Sequence, residues 1–309
     1  FVNVDQSTVT NDSFTFNHHA IRIDNGCDTN TFSNNIASWS NETSVVVMSS
    51  SGNTFSNNTS NNNGMSGFEM VSASGNTLSG NTSNSNGIAG AYLSGSSNNT
   101  LSSNTTNSNA DGLTLVAGSN GNLAKDNISR SNANYGLRMS ASSSNTCVRN
   151  LTQDNNGGGG MYLSNADTNT FIQNESRGDR YGAQIEASGG DASHNNKFIR
   201  NNILQTDSYS MFLGSGQTDT PFIWRNFLDT TNLGLPTDAI GTTRSLFGIA
   251  WDLWDMPGLA QVADTQFRFA LVDTTAAGDS LAPNVPSPLT IVDSCAGQVK
   301  IRWTAPASN

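Results

Sequence analysis

The sequence predicts an all-β fold in which the chain winds into a solenoid of about nine coils. A six-residue motif recurs with a constant period, and a short apolar strand pattern follows each copy of it. Helix-favouring residues are scarce, while asparagine supplies 43 of the 309 residues. Because asparagine favours turns over helix interiors, we expect short strands joined by polar turns.

The six-residue motif begins with asparagine, and its third residue is usually large and apolar. Its first residues are spaced 23 apart five times in succession, from Asn30 to Asn145, and then by 24 and 27. The copies begin at Asn30, Asn53, Asn76, Asn99, Asn122, Asn145, Asn169 and Asn196. Such a period indicates one coil per repeat, with equivalent strands stacked in parallel about 4.8 Å apart.

The second pattern lies about 14 residues after each motif start and reads small, apolar, variable, apolar, as in residues 136–139. Apolar residues at positions i and i+2 are typical of a strand with one buried face. The third residues of the six-residue motif form another inward column, in which Cys147 is expected to be an inert, buried thiol. These columns predict one continuous core.

This repeat resembles the right-handed parallel β-helix repeat of the NosD-like and carbohydrate-binding or sugar-hydrolysis families, over residues 5–226. The resemblance implies a right-handed single-stranded parallel β-helix. It is specific for the fold and unspecific for function, because such families include polysaccharide lyases, hydrolases, epimerases, surface proteins and phage tailspikes.

The sixth position of the motif is asparagine in every copy, from Asn35 to Asn201. Asparagine tolerates the left-handed conformation of a sharp turn, and its amide both donates and accepts hydrogen bonds. We therefore predict an asparagine ladder, in which stacked side chains bond along the solenoid axis and the ladder residue makes the turn.

Charge and composition exclude several function classes. The net charge is −10 with only three lysines, so a nucleic-acid partner is not expected. No apolar run is long enough to span a membrane. The three cysteines lack zinc-site spacing, and Cys27 lies about five coils from Cys147, beyond disulfide reach. A lysine-poor, Asn/Ser/Thr-rich chain suits an exported protein, so an extracellular or cell-surface location is expected.

The character of the chain changes after Asn226, because 40 of the 43 asparagines precede residue 230 and the period stops. We assign residues 1–226 to the parallel β-helix. A solenoid end exposes unpaired strand edges, so residues 227–281 are expected to form a C-terminal β-rich cap or small domain.

Residues 282–309 resemble a linker and the first two strands of a fibronectin type III domain, in which Trp303 would be the buried tryptophan of strand B. The resemblance implies that the chain is a piece of a larger modular protein. Its partners would then include further domains of the same polypeptide.

A glycan site is expected on the outer face of the second strand pattern. Strict alternation points a column of polar and aromatic side chains away from the core. The predicted substrate-binding residues are Glu69, Tyr92, Arg138, Tyr162, Gln184 and Phe212. A column of glycines beside them, from Gly67 to Gly182, is expected to leave a shallow groove. The alternative is that glycine serves a tight turn and that aromatic residues simply favour strands.

The sequence contains one arrangement of residues that fits a catalytic site. A polyuronate lyase needs a cation and an acid/base group, which Arg138, Tyr162 and Arg180 would supply. The carboxylate pair of a glycosidase is not expected, because Glu69 has no acid beside it.

No metal site and no cofactor are expected. The chain's histidines, His18, His19 and His194, lack ligand spacing with acids. Calcium at Asp167 or Asp191, in Asn/Gly-rich turns, is the alternative.

Two hypotheses for function follow. The first is a non-catalytic extracellular module of a cell-surface protein, acting as adhesin, scaffold or glycan-binding unit. The alternative is a polysaccharide lyase, epimerase or hydrolase that acts on an acidic polysaccharide. An enzyme should carry perturbed acid/base groups in one place, whereas a scaffold should not.

Overall fold

The computed structural model describes residues 3–188, 191–204, 206–213, 222–224, 226–228, 290–295 and 298–302. The strands are β1 (Thr8–Thr10), β2 (Ser13–Thr15), β3 (Ile21–Asp24), β4 (Thr31–Ser33), β5 (Ile36–Ser38), β6 (Val45–Met48), β7 (Thr54–Ser56), β8 (Phe68–Val71), β9 (Thr77–Ser79), β10 (Ala89–Ser94), β11 (Thr100–Ser102), β12 (Asp111–Val116), β13 (Leu123–Lys125), β14 (Ile128–Arg130), β15 (Tyr135–Ser140), β16 (Thr146–Val148), β17 (Leu151–Gln153), β18 (Gly159–Ser164), β19 (Thr170–Ile172), β20 (Glu175–Arg177), β21 (Tyr181–Glu186), β22 (Lys197–Ile199), β23 (Asn202–Leu204), β24 (Tyr209–Leu213), β25 (Phe222–Trp224), β26 (Phe227–Leu228), β27 (Thr290–Cys295) and β28 (Gln298–Arg302).

Strands β1 to β26 form the predicted parallel solenoid. Sheet 1 has ten strands, in the order β1-β4-β7-β9-β11-β13-β16-β19-β22-β25. Sheet 2 has nine, in the order β3-β6-β8-β10-β12-β15-β18-β21-β24. Sheet 3 consists of β2-β5 and β14-β17-β20-β23-β26, and isolated parallel bridges at Thr59, Thr82 and Thr105 continue the stack between them. The first nine coils contribute to all three sheets, and the last described strands, β25 and β26, extend sheets 1 and 3, so the fold prediction is confirmed.

The core is the predicted stack of inward columns. In sheet 1 the rings of Phe32 and Phe55 stack at 5.0 Å, and those of Phe171 and Phe198 stack at 4.7 Å. Cys147 lies between these pairs as a fully buried free thiol, and burial raises the pKa of that thiol above its ordinary value. A protonated thiol is a poor nucleophile and ligand, so its role is packing.

The predicted asparagine ladder runs through the sixth motif position and continues to Asn226. Each Oδ1 accepts hydrogen bonds from the backbone N and Nδ2 of the asparagine one coil earlier, while each Nδ2 also donates to a backbone carbonyl. The first motif position forms a second ladder, from Asn30 to Asn196. A third runs from Asn63 to Asn155 and ends on Asp179.

The prediction that the ladder residue itself makes the turn is wrong by one motif position. The left-handed conformation occurs at the fifth motif position, at Asn34, Asn57, Ser103 and Arg149 among others, and not at the sixth. The reason is that the ladder amide must point into the coil to bond, so the preceding, exposed residue makes the bend.

The predicted cap lies outside the described residues, apart from β26 at its start. Strands β27 and β28 pair as an antiparallel hairpin. Trp303 lies outside the described residues, so the fibronectin type III resemblance and the domain boundaries stay predictions. Among the described residues, no helix has the length and apolar character needed to cross a membrane.

Candidate functional site

The predicted outward column exists as a continuous row across sheet 2. Parallel pairing places its members side by side, in the order Glu69, Tyr92, Thr114, Arg138, Tyr162, Gln184 and Phe212. Thr114 is fully buried and separates Glu69 and Tyr92 from the other predicted residues. The row therefore has two parts, and the larger part begins at Arg138.

Arg138 is paired with an acid at the start of a neighbouring strand. Asp111 is the first residue of β12, and its Oδ2 lies 3.3 Å from Nη1 of Arg138. The Asp111 side chain is 7% exposed and that of Arg138 is 37% exposed. Asp111 Oδ1 and Arg138 Nε are buried without a hydrogen-bond partner. The guanidinium therefore keeps unused donor capacity beside a nearly buried carboxylate.

Two tyrosines stack next to this pair. The rings of Tyr135 and Tyr162 lie 4.3 Å apart with an interplanar angle of 28°. Burial raises the pKa of Tyr135 to about 12, and burial also raises the pKa of Tyr162. Both phenols are therefore neutral near pH 7, so each keeps a proton that it can donate.

The Tyr162 hydroxyl donates to a carboxylate that sequence reasoning missed. It lies 3.1 Å from Oε2 of Glu186, and Nε2 of Gln184 donates to Oε1 of the same carboxylate at 2.6 Å. Oε1 of Gln184 is buried without a partner. A cation, two neutral phenols and an oriented carboxylate thus lie together on three successive coils.

At the two ends of the row, the predicted residues contact neighbouring side chains and do not join the Arg138–Tyr162 cluster. Phe212 packs on Tyr181 at 5.2 Å, and the guanidinium of Arg180 lies 5.2 Å from the centre of the Tyr181 ring. Arg180 also donates to the carbonyl of Gly157, so its charge faces the edge of the site rather than Tyr162. At the other end, Thr43 donates to Oε2 of Glu69 at 2.9 Å.

Sequence reasoning missed Asp111 as a partner of Arg138, together with Tyr135 and Glu186. All three belong to columns that flank the predicted one. Asp111 pairs with Tyr135 across the sheet, and Ser164 pairs with Glu186. Aligning the residues on both sides of the apolar pattern would have shown these columns.

The predicted glycine groove is wrong. A side chain at Gly112 would collide with Oγ of Ser129 and the carbonyl of Gly136, and one at Gly136 would collide with Thr152 and Asn155. These positions face the buried corner between sheets 2 and 3, where Ser129 donates to the Gly136 carbonyl at 2.7 Å. They also lack a left-handed φ, so close packing, and not a turn, requires glycine there.

The fold brings two of the histidines to an acid although the sequence shows no ligand spacing between them. Nε2 of His18 lies 3.2 Å from Oε1 of Glu42, and Nε2 of His19 lies 3.5 Å from Oε2. Glu42 is one coil further along the chain, so the contact depends on the solenoid period. Asp167 accepts a hydrogen bond from the backbone N of His194. Calcium at Asp167 or Asp191 stays a prediction.

Family models match most of the solenoid. Residues 1–152 match the model described as right handed beta helix region, and residues 114–210 match that described as periplasmic copper-binding protein (NosD). A search of curated proteins found no match.

Solved structures share the fold. A mutant of the periplasmic alginate epimerase AlgG is 14% identical with a TM-score of 0.56, covering 64% of this chain and 50% of that chain. The A-module of the Azotobacter vinelandii mannuronan C-5 epimerase AlgE6 is 14% identical with a TM-score of 0.52, covering 66% and 59%. The chain thus spans about half to three fifths of these two structures, and the likeness shows a shared fold.

Proposed function

Because the chain belongs to the right-handed parallel β-helix repeat family, we propose that it is an exported module that binds a polysaccharide along the outer face of sheet 2. The observation that carries this proposal is the row in which the Tyr135–Tyr162 stack lies beside Arg138. Half-exposed rings suit the apolar faces of sugars, and phenol hydroxyls suit their hydroxyl groups.

The geometry of a parallel solenoid favours a linear ligand. Equivalent side chains recur about every 4.8 Å along the axis, so a chain lying parallel to the axis meets several of them at once. The planar fork of Arg138 suits the carboxylate of a uronic acid unit. The shared fold with an alginate epimerase and a mannuronan epimerase supports a polysaccharide ligand of this kind.

The wider setting is part of the same proposal. The NosD family and the alginate epimerase AlgG are both described as periplasmic, which supports export of this chain. We propose that it acts as an adhesive or structural module of a larger cell-surface protein. The fibronectin type III resemblance of residues 282–309 supports such a modular setting.

A lyase or epimerase is the second candidate, and one observation favours it. Glu186 accepts a hydrogen bond from Tyr162 beside Arg138, so a base, a neutral acid and a cation lie together. In this reading Arg138 neutralises the uronic carboxylate and Glu186 removes the C5 proton, leaving the electron pair in the carboxylate as an enolate. Tyr162, which is hydrogen-bonded to Glu186 and so lies on the same side of the sugar, then donates a proton to the leaving oxygen at C4 as the C4–O bond breaks. For epimerisation, the proton that enters C5 from the opposite face would come from water.

The binding prediction is tested with the Arg138→Ala/Tyr162→Ala double variant. We expect wild type to bind a polyuronate or another glycan on an array, and the double variant to bind it at least about tenfold more weakly, because a charged hydrogen bond and a stacking ring are lost. Arg149→Ala is the matched control, since Arg149 is an exposed arginine paired with Asp126 away from sheet 2. Equal binding by the double variant would place the site elsewhere, and no binding by wild type would refute the proposal.

The two candidates are separated by incubating wild type with polyuronate in D2O. A binding module gives neither an unsaturated product nor deuterium at C5. If either signal appears and is lost in Glu186→Gln, the chain is an enzyme and the binding-module hypothesis is rejected. A signal that persists in Glu186→Gln would exclude Glu186 as the base.

A further inference from the structure

We propose that His18, His19 and Glu42 form a binding site for a divalent transition-metal ion, for which Zn²⁺ is the representative. The site lies on the first two coils and does not depend on the proposed polysaccharide function. The match to the copper-binding family model covers residues 114–210 and leaves these residues out. The proposal therefore rests on the geometry of the three side chains.

The three side chains converge on one point. Nε2 of His18 and Nε2 of His19 face the two oxygens of the same carboxylate, at 3.2 Å and 3.5 Å. One ligand atom from each residue lies within 4.8 Å of the others. A tetrahedral ion with bonds of about 2.0–2.2 Å needs ligand atoms about 3.4 Å apart. The side chains need only small rotations to reach this geometry.

The environment of His19 sets the required tautomer. Nδ1 of His19 lies 2.7 Å from the carbonyl oxygen of Thr43. A carbonyl only accepts hydrogen bonds, so Nδ1 carries the proton, and in the neutral ring Nε2 keeps its lone pair. A backbone carbonyl that orients a histidine through its second nitrogen is a usual feature of metal sites. Here it points the free lone pair of Nε2 toward Glu42.

The ligand set and its exposure define the kind of ion. Two imidazole nitrogens and one carboxylate oxygen suit Zn²⁺ and its transition-metal neighbours, whereas Ca²⁺ and Mg²⁺ prefer oxygen ligands alone. The His18 side chain is 67% exposed and that of Glu42 is 44% exposed, while His19 is 18% exposed. An ion therefore has access from solvent, and a water molecule can complete its coordination.

A bound ion would join two coils. His18 and His19 precede β3 on the first coil, whereas Glu42 precedes β6 on the second, and hydrogen bonds such as that from Glu42 N to the His18 carbonyl join these segments. Metal coordination between them would stabilise the N-terminal end of the described stack. Zn²⁺ should then raise the melting temperature as well as bind.

The test is a titration of metal-free protein with Zn²⁺ in competition with a chromophoric chelator, at pH 7.5. We expect one Zn²⁺ per chain in wild type and about tenfold or greater weakening in each of the variants His19→Ala and Glu42→Gln. His194→Ala is the matched control, because His194 also faces a carboxylate, that of Asp167, but without a second histidine. It should bind Zn²⁺ as wild type does.

Circular dichroism of each variant shows whether the solenoid is intact. Glu42→Gln keeps the shape of the side chain, so it is informative even if His19→Ala perturbs the turn. Absence of Zn²⁺ binding by wild type would overturn the proposal and leave a pair of histidine–glutamate ion pairs. Equal affinity in wild type and Glu42→Gln would also overturn it, and so would preference for Ca²⁺ over Zn²⁺.

Discussion

Replacing Asn104 with leucine is expected to lower the free energy of unfolding by about 3–5 kcal/mol. Oδ1 of Asn104 accepts hydrogen bonds from N and Nδ2 of Asn81, both at 3.0 Å. Its Nδ2 donates to the Leu78 carbonyl at 2.9 Å and to Oδ1 of Asn127 at 3.0 Å. Leucine has a similar size but no polar atoms, so several buried groups lose their partners in the middle of the stack.

Chemical denaturation followed by circular dichroism measures this loss. Asn134→Leu is the control, because Asn134 is exposed on the surface of the same solenoid and should change the stability by less than about 0.5 kcal/mol. If Asn104→Leu unfolds at the same denaturant concentration as the control, the ladder contributes nothing measurable to stability.

The constant period explains why so much of the fold follows from sequence. Residues 23 apart are neighbours in space, so the pairing of Thr31 with Thr54 and of Phe32 with Phe55 can be read directly from the motif. The burial of Cys147 and the ladder through Asn104 follow from the same register. Such predictions need only the period and the alternation of side chains within a strand.

Alternation fails at the corners between sheets, and this is where the site prediction went wrong. At Gly112 the backbone bends toward sheet 3, so the position packs against Ser129 instead of opening a groove. Side-chain contacts between adjacent coils also have irregular sequence separations. Asp111 reaches Arg138 over 27 residues, whereas His19 reaches Glu42 over 23. Sequence spacing alone does not fix which side chains of two adjacent coils meet.

A buried carboxylate at the end of the third ladder makes stability depend on pH. Asp179 is fully buried, and its Oδ1 accepts hydrogen bonds from N and Nδ2 of Asn155, both at 2.8 Å. Its Oδ2 accepts from Thr152 at 2.8 Å and from Ser176 at 2.6 Å. Burial nevertheless raises the pKa of Asp179 to about 6, because it outweighs these hydrogen bonds.

The sign of the pH effect follows from this shift. The folded state holds the proton up to about pH 6, whereas the unfolded chain releases it near pH 4. The contribution of protonated Asp179 to the free energy of unfolding is therefore fully present below about pH 4 and is lost as the pH rises through 6. A shift of about two units corresponds to about 3 kcal/mol. We expect wild type to lose up to that amount between pH 4 and pH 7.

Asp179→Asn is expected to remove this loss. An asparagine repeats the other members of the ladder, keeps an oxygen for Asn155, and can donate to the hydroxyls of Thr152 and Ser176, which rotate to accept. The variant should match wild type near pH 4 and exceed its stability at pH 7 by about 2–3 kcal/mol. Urea denaturation at pH 4, 5, 6 and 7 measures the stability of both proteins.

Asp126→Asn is the control, because Arg149 lowers the pKa of that exposed carboxyl and removal of the Asp126 charge should not stabilise the protein at pH 7. If Asp179→Asn keeps the wild-type dependence on pH, or is less stable at pH 7, the buried carboxylate is not its source.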